Sequence, residues 1–348
     1  MTISQIINCL ENIAPPSFQE SYDNCGLIIG NSNWQCNGVL ATLDVTEDVV
    51  IEAKAKNCNL IVAHHPIVFS GLKKINGKNY VEKTVIAAIK NDIAIYAIHT
   101  NLDNVIDGVN KKFADTIGLI NTQILQPKSN LLSKLIVFVP IENAENVKDA
   151  LFTAGAGDIS NYSECSFSTS GKGTFKGKDS SNPVKGQKNI REIVEEIKVE
   201  VIIPNYLQNN IVAAMKIAHP YEEVAYDVVP LSNTYQQVGS GMIGELENAI
   251  PEIELLELLT KKFSLKALKH TTLLNKMVKK IAVCGGSGSF LTKTAIAAGA
   301  DVFVTSDIKY HEFFDAENKI LLTDIGHYES EYNTDRKSTR LNSSHTDI

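Results

Sequence analysis

Several features that would quickly decide a function class are missing from this chain. Basic residues are not in excess: Lys plus Arg is 33 against 40 Asp plus Glu, for a net charge of −7. A broad nucleic-acid surface needs a basic stripe, so no direct nucleic-acid partner is expected. No run of 18 apolar residues occurs, so no membrane-spanning helix is expected. The start, "MTISQIINCL", lacks the basic n-region of a secretory signal. The cysteines (Cys9, Cys25, Cys36, Cys58, Cys165 and Cys284) include no CxxC pair. In a chain this long that fits reduced thiols and a cytoplasmic location. Gly285, Gly286 and Gly288 make neither GxGxxG nor a Walker sequence. "CGGSGSFL", from Cys284 to Leu291, reads as a tight strand-to-helix turn, with a phosphate seat at the helix N-terminus as the alternative.

What is present is a change of rhythm along the chain. At 348 residues it exceeds the roughly 250–300 at which single cores stop growing, so more than one domain is expected. Up to residue 128, short apolar strands ("VLATLDV", "NLIVA", "IAIYAI") alternate with helical stretches ("EDVVIEAKAKN", then 80–90), the pattern of a parallel α/β sheet. From 129 to 234 the order becomes strand–helix–strand, twice, with a Gly/Ser-rich hairpin between, as in a ferredoxin-like α+β module. From 235 to 333 the α/β alternation resumes through "KKIAVCGG", "DVFVTSD" and "KILLTDIG". The expected fold class is therefore α/β: a two-part α/β domain with a strand-end site, interrupted by an inserted ferredoxin-like α+β domain. The polar, aperiodic end, residues 334–348, resembles a translated sequencing-adapter oligonucleotide and is read as an artefactual tail.

Polar residues cluster just past strand ends, where open α/β sheets build their sites. His64 and His65 follow one strand, His99 and Asp103 the next, and Asp324, His327 and Glu331 the last. His327 and Glu331 are four apart and share a helical face. Three strand ends each supplying His or carboxylate have the composition of a metal site, suited to Zn, Fe, Mn, Co or Ni. Adjacent side chains on a strand diverge, so His64 and His65 are expected to serve two different ions. "SDIKYHEFF" adds Asp307, Lys309, Tyr310 and His311 as outer or substrate-facing candidates. In the insert, "AHPYEEVAYDVVPL" also looks like a site. Because Pro220 stops the preceding helix, a turn with His219 as a cap is the simpler reading there.

The stretches "YDNCGLIIG", "AHHPIVF", "HTNLDNVIDGVN", "GADVFVTSDIKYHEFFDA" and "DIGHYESE" together resemble the signatures of the Nif-three-like family, whose bacterial members are known as GTP cyclohydrolase I type 2 homologues. The segment 129–234 resembles the PII/CutA-like domain of the longer bacterial members. The resemblance implies a dinuclear divalent-metal centre (two ions per subunit, Zn, Fe or Mn). His65 and Asp103 would hold one ion and His64 and His327 the other, with Glu331 bridging both. The first functional reading is hydrolysis of a nucleotide-like small molecule, with GTP imidazole ring opening as the named candidate; His99 and His311 are the candidate proton shuttles. A metal-dependent phosphoesterase and a non-enzymatic metal-handling or regulatory scaffold are the alternatives. A toroidal homohexamer is implied as well. Ser306 stands where family members usually carry Gly, and Tyr22-Asp23-Asn24 where most have Trp-Asp-Asn. The family also continues through a further helix and strand after Glu331.

Overall fold

The computed structural model describes residues 1–332, so the expected tail at 334–348 lies outside the described residues. The chain divides into two units, one of Met1–Pro127 together with the chain from Gln237, the other Lys128–Gln236.

In the first unit, strands β1 (Gly26–Ile29), β2 (Val39–Thr42), β3 (Leu60–Ala63) and β4 (Ala94–Ala97) form a sheet in the order β1-β4-β3-β2. β2, β3 and β4 are parallel, and β1 runs antiparallel on the β4 edge. All four residues of β3 and of β4 are buried, as expected of parallel strands covered on both faces. Each Leu, Ile or Val buried there contributes about 1.5–3 kcal/mol. Register decides where the strands stop. Ala63 lies opposite Ala97, so β3 and β4 end level and the residues that follow them emerge side by side. The helix Tyr80–Lys90 between them is capped by Asn79, whose side chain accepts from the Glu82 amide. Strand β5 (Ile120–Ser129) leads out of this half.

The second unit contains β6 (Leu132–Pro140), β7 (Ser166–Lys176), β8 (Arg191–Pro204) and β9 (Tyr226–Leu231) in the order β7-β8-β6-β9. Every neighbouring pair is antiparallel. Helices Ala144–Thr153 and Gln208–Ala218 complete a β-α-β-β-α-β sequence. Val147, Leu151, Ile211 and Met215 of the helices pack on Leu135, Val137, Val199 and Val201 of the sheet.

The chain then returns to the first unit through β10 (Thr234–Pro251), β11 (Lys269–His270), β12 (Met277–Ser287), β13 (Val302–Ser306) and β14 (Leu321–Asp324). Their sheet has the order β11-β14-β13-β12-β10-β5. β12, β13 and β14 are parallel and adjacent, as β2, β3 and β4 are in the first sheet. Thr305 lies opposite Asp324, so β13 and β14 also end level. Two expectations change locally. The segment after β13 forms a 3-10 helix, Tyr310–Ala316, in place of a full α-helix. The glycines of "CGGSG" do not make a turn directly after a short strand, because β12 continues through them to Ser287.

A histidine and carboxylate cluster at three strand ends

The level ends of β3 and β4 present the first four polar residues. The backbone bends after Ala63, and the His64 and His65 amides donate to the carbonyls of Thr42 and Leu43. Strand alternation therefore lapses at this pair. The expected divergence of the two side chains does not occur: their ring centroids lie 5.0 Å apart and both rings join one cluster. His99 follows β4, with its ring 5.2 Å from His64 and 5.4 Å from His65. Asp103 ends the short helix Thr100–Asp103. From the second sheet, the helix His327–Glu331 begins three residues past the end of β14 and carries its two named residues on one face, 3.2 Å apart.

Each histidine is held by its Nδ1. His64 donates to the Ile98 carbonyl at 2.9 Å, a direct consequence of the level strand ends. His65 pairs with Asp44 at 2.9 Å, His99 with Asp23 at 2.8 Å and His327 with Asp307 at 2.5 Å. An N–H donated at Nδ1 leaves a lone pair on Nε2, the arrangement that metal-binding imidazoles adopt. The Nε2 atoms face inward. His65 Nε2 is 3.4 Å from His327 Nε2 and 3.1 Å from Glu331 Oε2. His64 Nε2 is 3.6 Å from Asp103 Oδ1 and 3.9 Å from Glu331 Oε1. The distances thus group His64 with Asp103, and His65 with His327, each group on its own oxygen of Glu331. That exchanges the partners expected from the family resemblance. The reason is that His65 reaches toward the second sheet, whereas His64 stays against β4.

The site lacks internal satisfaction. Among the described residues, the buried side-chain atoms without a hydrogen-bond partner are His64 Nε2 and Asp103 Oδ1. Such orphans are costly unless something else binds them. His64, His65 and His99 form one group of donor atoms able to share an ion, and His65, His327 and Glu331 another. Burial pushes His64 down to about 4, so it is a neutral ligand-ready imidazole at neutral pH. Burial and the negative charge of Glu331 push the Asp103 carboxyl well up. For Glu331, burial is overridden by hydrogen bonds from His327 and His65, and its carboxyl lies low. His327 is raised to about 9, chiefly by its bond to Glu331. Once a divalent cation displaces the protons that His65, His327 and Asp103 hold in its absence, these imidazole and carboxyl groups make a donor set suited to it.

Glycine makes the room. A Cβ on Gly286 would lie 2.4 Å from Glu331 Oε1, and its φ of +63° is one that side-chain-bearing residues rarely adopt. The buried Ser306 hydroxyl donates to the Gly286 carbonyl at 2.5 Å and so holds this backbone beside Glu331. A small cavity of about 200 Å³ adjoins the cluster and is lined in part by Tyr22, His99, Asp103, Gly286, His327 and Glu331.

Of the sequence-predicted residues, His64, His65, His99, Asp103, His327 and Glu331 come together. His311 does not: it is exposed, and its ring contacts are with Tyr310 and Phe314. Asp324, a candidate by position, instead accepts from the amides of Ile308 and Gly326 and shapes the turn that carries His327. Sequence reasoning passed over Asp44 and the role of Asp23. Asp44 lies just past β2, so the strand-end rule would have found it. Asp23 has no such signal, because its carboxylate reaches His99 and Thr100 from a loop before β1.

The fold and cluster define a class: an α/β protein that gathers imidazole and carboxylate donors from the ends of two sheets into one centre. The family model for Duf34/NIF3 (NGG1p interacting factor 3) matches residues 1–344, and the chain belongs to that family. It is 40% identical over 324 residues to the GTP cyclohydrolase 1 type 2 homolog of Halalkalibacterium halodurans, covering 92% of this chain and 87% of that protein. The homolog of the same name from Bacillus subtilis is 39% identical over 326 residues, covering 93% and 87%. Among solved structures, a Bacillus cereus protein related to NIF3 superposes with a TM-score of 0.87 at 39% identity, covering 100% of this chain and 94% of that one. A Staphylococcus aureus protein superposes with a TM-score of 0.76 at 31% identity, covering 98% and 92%.

Proposed function

We propose that this chain is a metal-dependent hydrolase whose centre takes two divalent ions, Zn, Fe or Mn, and that it opens the imidazole ring of GTP. The observation that carries the metal reading is the orphaned pair, His64 Nε2 and Asp103 Oδ1, in a cluster whose histidines are all tied down through Nδ1. His64, Asp103 and Oε1 of Glu331 would hold one ion, and His65, His327 and Oε2 the other. A bridging carboxylate is supported by its two oxygens facing different imidazoles. Bound ions would supply Lewis acidity toward water and substrate.

The chain's own residues do the rest. Asp23 holds His99 by Nδ1, so its Nε2 is the atom that takes or gives a proton beside the centre. Asp44 and Asp307 keep His65 and His327 in the tautomer that presents Nε2 inward. GTP as substrate is supported by the name of the curated relatives. The second unit is read as a ferredoxin-like module on its β-α-β-β-α-β order and wholly antiparallel sheet. A toroidal homohexamer and a cytoplasmic location belong to the same reading, on the family resemblance and the unpaired cysteines.

The test is to load the protein with Zn, Fe or Mn, add GTP, and assay formate and inorganic phosphate together. Metal-dependent formate release supports ring opening. Phosphate without formate would make the protein a phosphoesterase on the same centre. Neither product with any metal would leave a metal-handling scaffold and refute the hydrolase.

A further inference from the structure

A cavity in the second unit plays no part in the hydrolase reading. It has a volume of about 740 Å³, within the range of small-molecule sites. Phe138 of β6, Phe175 at the end of β7 and Tyr221 line it with aromatic surface. The Phe175 and Tyr221 rings stand 6.4 Å apart and inclined at 56°. Glu196 of β8 also lines the cavity, and its Oε1 accepts from the Tyr221 hydroxyl at 3.2 Å. A Cβ on Gly173 would lie 2.0 Å from Glu196 Oε2, so glycine there lets the carboxylate lie flat across β7.

The last residue of β7, Lys176, and the connection from β7 to β8, including Lys178, also line the cavity. That connection is tied down at two points. Lys185 pairs with Glu142 at 2.6 Å, and the Asn182 amide donates to Glu222 at 2.7 Å. Among the described residues neither Lys176 nor Lys178 has an ion-pair partner, although Glu196, Glu222 and Glu223 all line the same cavity. Cations without ion-pair partners, aromatic faces and a fixed carboxylate acceptor around one cavity call for a ligand that is anionic at one end. Its other end should be a flat heterocycle bearing N–H donors.

We propose that this cavity binds a purine nucleoside phosphate. The base lies against Phe175 and Tyr221 and donates to Glu196, and the phosphates meet Lys176 and Lys178. The site is separate from the metal centre and does not depend on the hydrolase reading. It would make the inserted unit a nucleotide-responsive one.

The full chain, stripped of metal with chelator, should be titrated with methylanthraniloyl-GTP and methylanthraniloyl-ATP, followed by competition with the unlabelled nucleotides. Saturable, competable binding is expected, and it should persist in Asp103→Ala. Charge-assisted contacts of this kind are each worth enough that Lys176→Glu with Lys178→Glu should weaken binding at least about tenfold. Tyr221→Leu should weaken it without altering the thermal transition of the first unit. Absence of saturable binding up to about 1 mM, the weak end of specific affinity, would overturn the proposal. So would binding that neither variant weakens, or binding lost in Asp103→Ala and kept in the lysine variant.

Discussion

The two units each bury a histidine beside carboxylates and aromatic rings, and the two histidines are treated differently. In the second unit His219 uses both ring nitrogens. Its Nε2–H donates to the Phe138 carbonyl at 3.0 Å, and its Nδ1 accepts from the Tyr221 amide at 3.1 Å. It ends the helix Gln208–Ala218 and holds the turn that follows, as the reading of "AHPYEE" as a capped turn expected. In the first unit His64 spends Nδ1 on the Ile98 carbonyl, and its Nε2, like the Asp103 Oδ1 it faces, has no hydrogen-bond partner among the described residues. Burial lowers the pKa of both. A satisfied buried histidine is architecture, whereas an orphaned one beside an orphaned carboxylate has the form of a place for a cation. Residue type and burial do not tell them apart. The hydrogen-bond inventory does.

Breaking the contrast at the metal side should have the largest effect. Glu331→Gln removes the charge shared by both donor groups, and metal content measured by mass spectrometry should collapse. The affinity loss should exceed the roughly 10–100-fold typical of outer partners. Retention of two equivalents of metal in that variant would refute a bridging role. Gly286→Ala attacks the same carboxylate from the backbone, since its Cβ meets Glu331 Oε1. It should lower both metal content and melting temperature, and unchanged values for both would show that the close approach is not needed.

Acid should separate metal-free from metal-loaded protein by a smaller amount. The folded pKa of His64, about 4, lies below the unfolded value of about 6.5. The folded state therefore binds fewer protons between those values, and its stability is present above pH 6.5 and is lost as pH falls toward 4. The loss should reach up to about 3 kcal/mol in the metal-free protein. His64→Asn should flatten that acid limb in urea titrations at pH 7 and pH 5, and an identical slope in the variant would contradict the assignment.

Two milder substitutions sharpen the comparison. Asp307→Asn keeps the shape beside His327 but removes the charge that holds its tautomer, so metal affinity should fall by about 10–100-fold. His219→Ala leaves the Phe138 carbonyl and the Tyr221 amide unpaired and should cost about 1–3 kcal/mol, with metal content unchanged. A drop in metal content on replacing His219 would erase the distinction between the two histidines.

Much of the framework was legible from local pattern. Alternation of short apolar runs with helical stretches marked β2, β3, β4, β12, β13 and β14, most strongly at β3 and β4, where burial on both faces demands an apolar run. The same pattern made polar residues at their ends conspicuous. His64, His65, His99, Asp103, His327 and Glu331 all followed from that one rule together with helical spacing. His311 obeyed the rule equally well and lies elsewhere, because a 3-10 helix turns it outward with Tyr310 and Phe314.

The sequence alone determined which residue types stand past which strands, since burial forces the apolar periods and leaves the ends free for polar groups. Tertiary structure decided how they combine. Two sheets had to meet before His65 could face His327 across 262 positions of chain, and register had to level β3 with β4 before His64 could rest on Ile98. The backbone bend after Ala63 set the partners of the adjacent histidines, and Gly286 admitted the carboxylate they share. These are long-range distances, and no local pattern encodes them.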